Sequence, residues 1–411
     1  MTAADLILAA EDLRSALQRR DAALPALLKE LVDIESHASQ PGGVVAVGRV
    51  MERELVGAGC RVERVPGPAL GPDQAWLADL MLPEGDYAAI PDVIVARRPG
   101  RGSRFGLLLG DLDTALAPGS PGRVPFSIAD GRAYGPGVAD MKGGLVVLTA
   151  ALRALAETGL DAPPLTVVLS PDEQAGSLRS RVVIEREAAG VAWCLCVECA
   201  RDGGNLMGSR AHIGVARLDV YGRETHAGSA HGRGVSAIEE LAYKVPAIQA
   251  LTDPERGVYV TVGGIWGGRR RSVVPGHAYC TIDVRTPDAH VWAEVEAALL
   301  RIAESVRLPG ASAQLRIYAH RPGIPWTAAT DRLIVVAKRA GAAAGVSFGI
   351  VRSAAAGSSS FAGARGVPTL DGMGPVGGDL MTEREHVEVE TLAQRALLLA
   401  LTLRYLSNEE A

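Results

Sequence analysis

The chain has no long block of one charge sign. Its formal net charge of −5 is spread over 42 Lys and Arg and 47 Asp and Glu, which leaves no footprint for nucleic acid or an anionic membrane. Partners are therefore expected among small molecules and proteins. No apolar run reaches bilayer-spanning length. The opening segment MTAADLILAAEDLRSAL carries acids early, lacks a basic stretch and has helical spacing, unlike a secretory leader. Five cysteines, an odd number spread over 411 residues, do not make a disulfide framework, so the cytoplasm is the expected compartment. Cys194, Cys196 and Cys199 lie together in AWCLCVECA. They are readable as zinc ligands, but the short strand-like apolar run around them favours small buried hydrophobes. Internal repeats and low-complexity segments are also lacking.

What is present is length enough for two domains, one large enough to bury an extended sheet. Leu24, Leu27, Leu28 and Leu31 share a helical face in the first thirty-odd residues, with Pro25 tolerated only near a helix start, so one amphipathic helix is expected to open the fold. Strand-like runs follow: CRVERV from Cys60, DVIVARR from Asp92, RFGLLLGDLD from Arg104, PLTVVLS from Pro164 and AWCLCVE from Ala192. Helix-like stretches alternate with them, notably 143–158, as in an α/β sheet with covered faces. From about Arg210 the texture becomes α+β: HIGVARLDVYGRE, GVYVTVGGIWGG and AYCTIDVRT read as strands, and 236–252 and 289–306 as two helices on one sheet. After Arg321 the α/β texture returns, with a helix over 331–344, a turn at Gly357, the strand VPTLDG and a last helix from Val387 to about Leu406. The expected organisation is a catalytic domain in two parts, 1–209 and 321–411, interrupted by an inserted domain over 210–320.

Polar clusters follow the strands, where α/β sheets place their sites. In order these are GDLDTA from Gly110, YGPGVADMKGG from Tyr134, SPDEQAGS from Ser170, VECA from Val197, GRETHAG from Gly222 and GMGPVGGDLMTEREHV from Gly372. In order and spacing they resemble the di-zinc aminoacylase and carboxypeptidase superfamily, which includes glutamate carboxypeptidase, acetylornithine deacetylase and succinyl-diaminopimelate desuccinylase. ADMKGG is the most specific piece. The resemblance implies a mixed-sheet, zinc-peptidase-like α/β domain with an inserted ferredoxin-like lid that pairs chains into a homodimer. It also implies two bridged zinc ions that polarise an amide carbonyl and acidify a water, with a glutamate taking the proton.

Carried over position by position, Asp140 matches the bridging carboxylate, Glu173 the general base, Glu198 a carboxylate ligand and Asp113 the acid that orients the first ligand. Three ligand positions depart from the pattern: Asp111 stands where histidine is expected, Gln174 where a second glutamate is expected, and Met381 where the late histidine is expected. Asp111, Asp140 and Glu198 would form an all-carboxylate set suited to magnesium, manganese or calcium better than zinc. A solvated or arginine-paired acid is the plain alternative at Asp140, Glu173 and Glu198, and a polar or substrate contact is the alternative at Asp111. The donor set beside Asp140 loses charge and gains a soft thioether. At most one divalent ion (magnesium, manganese, calcium or zinc) is expected, or none, and crowded carboxylates without one should include an acid of raised pKa.

His226 matches the lid histidine that helps bind the substrate carbonyl in a neighbouring subunit's site, a donor for a developing oxyanion. Ser272 stands where relatives have asparagine. Arg269, Arg270 and Arg271 could hold an acidic substrate or an acidic carrier protein, and a solvated loop with no such role is the equal alternative; Arg285 in DVRTP is a weaker candidate for the same work. In AAAGSSSFAGARGVPTL, Ser358 takes an acidic position of the family's turn and Gly357 lets backbone approach a ligand. A helix N-cap is the expected role for one of the serines rather than a nucleophile.

The leading expectation is an enzyme acting on an amide bond of an N-acyl amino acid or peptide-like metabolite, free or carrier-bound. Its chemistry would use a single hard metal or metal-free acid/base steps such as acyl transfer, cyclisation or isomerisation. The alternatives are a ligand- or carrier-binding protein without turnover, and a conventional metal-dependent hydrolase recruiting Asp379, Glu383 or His386.

Overall fold

A computed structural model describes residues 3–71, 75–82, 85–201 and 203–407. The chain divides into two compact units, one of Met1–Ser209, Trp326–Arg352 and Gly357–Ala411, the other of Arg210–Pro325 with Ser353–Ala356.

The first unit is built on a six-stranded mixed sheet in the order Arg61–Val65, Val93–Arg98, Leu165–Ser170, Gly106–Asp111, Trp193–Cys196, Thr369–Leu370. The first two pairings are antiparallel and the last three parallel. Strand periodicity divides the side chains between two apolar layers. Leu108, Val167 and Leu169 join a cluster with Leu28, Met51, Leu148 and Leu399, whereas Leu107, Leu109 and Val168 join Ile184 and Phe361 on the other face. Covered on both sides, these strands need no polar alternation, and that is why they read as apolar runs. The helix Gly143–Thr158 is apolar nearly all round because twelve of its residues are buried.

Two sequence expectations change here. The opening segment forms two helices, Ala3–Gln18 and Ala23–Asp33, instead of one. Pro25 cannot donate a helical hydrogen bond and its ring would meet the carbonyl four residues back, so a new first turn must begin just before it. The last helix starts at Glu390, because His386–Glu388 is taken up as a strand against Arg132–Tyr134.

The second unit is a four-stranded antiparallel sheet in the order Tyr259–Gly267, His277–Thr286, His212–Tyr221, Ser312–Arg321. Helices Ala237–Gln249 and Ala289–Glu304 supply Leu241, Ile248, Trp292, Val295 and Leu299 to one core with Ala216, Leu218, Val220, Cys280 and Ile282. Lys244 on the first helix closes the end of the second, donating to Ile302 O at 2.9 Å and Ala303 O at 3.2 Å. The strand Ser312–Arg321 was not anticipated, since its residues are mostly half-buried and alternate weakly. Among the described residues no helix is long and apolar enough to cross a membrane.

Candidate active site

The candidate site lies where the parallel strands of the first unit end. Asp111 is the last residue of its strand and is paired in register with Ser170, from which the next loop departs. That loop is fixed by buried carboxylates. Asp113 accepts the amide protons of Glu173 at 2.9 Å and Gln174 at 2.8 Å. Asp172 accepts from Tyr87 Oη at 3.1 Å and from the Arg179 amide at 2.9 Å. Glu173 is thus held at a buried position by its own backbone. Asp113 clamps the backbone of this loop. Burial, with Glu173 and Asp172 nearby, lifts its pKa well above the ordinary carboxylate range against the pull of those two amides.

Asp140 precedes the helix Gly143–Thr158, at a point where the backbone leaves helical geometry (φ −116°, ψ 85°). Its Oδ1 accepts from Gln174 Nε2 at 3.2 Å. Burial, reinforced by the charges of Glu198, Glu173 and Glu385, raises its pKa well above the usual value, with Arg201 opposing. Glu198 is buried, and Arg201 Nη2 stands 3.9 Å from its Oε2. Two glycines let the backbone close on this segment: a Cβ on Gly144 would meet Val197 O at 1.8 Å, and one on Gly374 would meet the same atom at 2.3 Å. The Gly374 segment is held by the buried Arg395, which donates to Gly374 O at 2.8 Å, to Gly204 O at 3.1 Å and to Gly372 O.

The remaining candidates of this unit fall into different settings. Asp111 is buried and accepts the Ser358 hydroxyl at 3.0 Å. Ser358 stands at the N-cap of the short helix Ser359–Gly363, but its hydroxyl serves Asp111 instead of the helix amides, and Ser359 donates to buried Asp371. A hydroxyl facing a buried carboxylate gains more there than at a helix end. Gly357 is buried beside them. Met381 is 54% exposed and has left-handed backbone (φ 61°). Glu383 is exposed and pairs with Arg123 at 3.2 Å, Asp379 lies 3.7 Å from Arg384, and His386 packs on Tyr134 with ring centroids 5.7 Å apart. Cys194, Cys196 and Cys199 are buried thiols, and burial pushes Cys199 up to about 12. The acids around Asp140 are close enough to repel one another. Even so, among the described residues no three His, Cys, Asp or Glu side chains converge to hold a metal ion.

Glu385 was not singled out in the sequence. It is 2% exposed, and its Oε1 accepts the amide protons of Ala139 and Asp140, each at 2.8 Å. The only sequence signal was its position four residues after Met381, among several acids.

In the second unit, the two-residue strand Thr225–His226 pairs with Val273–Val274, and the Ala227 amide donates to Ser272 O at 2.9 Å, so His226, Ser272 and Arg271 share one edge. All three are exposed. His226 Nδ1 accepts the amides of Gly228 at 3.1 Å and Ser229 at 3.2 Å. This assigns the ring proton to Nε2 and makes the outward nitrogen a donor. Arg285 is engaged within its own unit, with Nε on Asp283 at 2.9 Å and Nη1 on Ala354 O at 3.2 Å.

Residues 107–405 match the sequence profile of Peptidase family M20/M25/M40, and the chain belongs to that family. Carboxypeptidase G2 of Pseudomonas sp. (strain RS-16) is 26% identical over 380 residues, covering 91% of this chain and 86% of that protein. Succinyl-diaminopimelate desuccinylase of Acidiphilium cryptum (strain JF-5) is 29% identical over 248 residues, covering 54% of this chain and 63% of that protein. The aminopeptidase PepT from Bacillus cereus ATCC 10987 has the same fold, with a TM-score of 0.72 at 20% identity over 94% of this chain and 99% of that one. The mixed-sheet α/β expectation and the family resemblance therefore both hold.

Proposed function

We propose that this M20-family chain acts on the amide bond of an N-acyl amino acid or small peptide-like metabolite, with Glu173 moving the proton, and that it does so without a pair of zinc ions. What supports this reading is the donor set: by the resemblance, Asp111, Gln174 and Met381 stand at three of the family's ligand positions. Asp111 is engaged by Ser358, the Gln174 amide nitrogen faces Asp140, and Met381 offers a half-exposed thioether. A neutral carboxamide and a thioether are poor donors for a zinc site that must acidify water. The residues present do not fit the dinuclear group, and no step is routed through it. Asp111, Asp140 and Glu198 suit at most one oxygen-ligated dication.

What remains is acid/base chemistry. Buried among other carboxylates, Glu173 takes a proton from an attacking amine or hydroxyl and returns it to the leaving nitrogen, as acyl transfer or cyclisation requires. His226, presenting Nε2–H, donates to the carbonyl oxygen as charge develops there, by resemblance from a paired chain. Carboxypeptidase G2 and succinyl-diaminopimelate desuccinylase support the substrate class. A cytoplasmic homodimer belongs to the same reading. The three replaced ligands also favour a second reading, a ligand-binding protein without turnover.

The test is metal content of the full chain purified without chelator, followed by a panel of N-acyl amino acids and dipeptides with and without an acceptor amine. The expected result is no more than one bound metal per chain and turnover that Glu173→Gln removes. Two stoichiometric zincs would overturn the reading, and binding without turnover across the panel would favour the second.

A further inference from the structure

Glu385 joins two chain segments that are far apart in sequence. Its Oε1 takes the amide protons of Ala139 and Asp140, each at 2.8 Å, while its own main chain belongs to the segment that carries Met381, four residues before it. The backbone on both sides of this tie is irregular: Gly137 (φ 70°) and Met381 (φ 61°) are left-handed, and Asp140 is neither helical nor paired in a strand. No ladder or helix turn satisfies such amides, and left-handed backbone at a methionine persists only where its surroundings hold it. The carboxylate is 2% exposed, so water does not do this work.

We propose that Glu385 is a positioning residue that fixes the spacing between Asp140 and the Met381 loop, so that Met381 contacts the substrate at a set distance from the reacting acids. This rests on the reading of Asp140 and Glu173 as the reacting site. Oε1 accepts both amide protons of the Asp140 turn and the Glu385 main chain lies in the Met381 loop, so one side chain ties the two, and its charge makes each of these bonds stronger than a neutral oxygen would. The half-exposed Met381 thioether, flexible and apolar, is the group this anchor carries. Met381 is accordingly a specificity residue for an apolar portion of the substrate, and Glu385 acts through it and through Asp140.

The experiment uses the full chain with Glu385→Ala, Glu385→Gln and Glu385→Asp. Backbone amide exchange is read at 137–142, at 379–384 and at the strand Leu165–Ser170, and steady-state kinetics are measured on whichever N-acyl amino acid or dipeptide of the panel the wild type turns over. Positioning predicts faster exchange in both loop segments, by about tenfold or more, with the strand unchanged. It also predicts a kcat per folded molecule lower by about 30- to 100-fold in Glu385→Ala, at a temperature where the variant is folded. Glu385→Gln, which keeps an oxygen acceptor but loses the charge, should fall between the wild type and Glu385→Ala in exchange and in kcat, and Glu385→Asp, which keeps the charge on a shorter side chain, should recover part of kcat. Wild-type exchange in both loops, or unchanged kcat and KM in all three folded variants, would overturn the proposal. Should Glu385→Ala fail to fold, Glu385→Gln decides alone: wild-type kcat with wild-type exchange in both loops rejects the role. A wild type that turns over nothing on the panel defeats the functional reading, while the exchange data still test the shared anchor.

Discussion

Gln174 donates its side-chain amide to Asp140 at 3.2 Å, filling with a neutral donor the place where the family resemblance expects a second acid. Gln174→Glu puts a carboxylate against an aspartate whose pKa is already raised by burial and by three other acids. Without a cation the variant should melt below the wild type, because like charges in a buried site repel. Added manganese or zinc should raise its melting temperature more than that of the wild type, through binding to the folded state alone. Thermal melts with chelator and with metal check this, and equal metal responses in the two proteins would count against the donor-set argument.

Glu173→Gln keeps the loop, since Asp113 grips backbone amides that the substitution leaves in place. Turnover should fall by about 10²-fold or more, the usual contribution of a positioned acid/base. The melting temperature should stay near that of the wild type. Retained turnover would remove Glu173 from the chemistry.

Arg395 is the buried support of the loop that packs on Glu198. Burial pulls its pKa down to about 10, so it remains charged at neutral pH. Arg395→Met leaves the carbonyls of Gly372, Gly374 and Gly204 without this donor. The expected cost is about 3 kcal/mol or more, at roughly 1–3 kcal/mol for each unpaired buried group, measured by denaturant unfolding.

Asp219 gives the second unit a pH dependence. Burial would raise its pKa, but hydrogen bonds from Arg217, Arg316 and His277 outweigh that and hold it below the ordinary value. The sign follows: a depressed folded pKa contributes stability above the unfolded value of about 3.9, lost as pH falls through the folded one. Asp219→Asn should flatten the decline in melting temperature between about pH 5 and pH 2. A decline as steep as that of the wild type would show that other carboxylates set the acid limb.

The sheet and the helix Gly143–Thr158 were legible because strands and helices covered on all sides are written as apolar runs. Ser312–Arg321 was hidden by its half-buried, mixed side chains. At the site, motif order placed Asp140, Glu173 and Glu198 where they now lie buried together. It carried no trace of Glu385, because that residue speaks to backbone amides that only tertiary structure brings near. Asp113 was visible as an acid, but its partners were not. The partner of Arg285 was legible: Asp283, two residues before it in a strand, was bound to share its face.

The helix Glu390–Leu406 packs in the core of the first unit against Gly143–Thr158 and Ala3–Gln18, and Thr369–Leu370 completes that unit's sheet. During synthesis, therefore, the residues of the second unit leave the ribosome while the first is still missing a wall. Asp140, Glu173 and Glu198 emerge before Glu385 and the closing helix, so a nascent or prematurely stopped chain carries these acids without the wall that buries them.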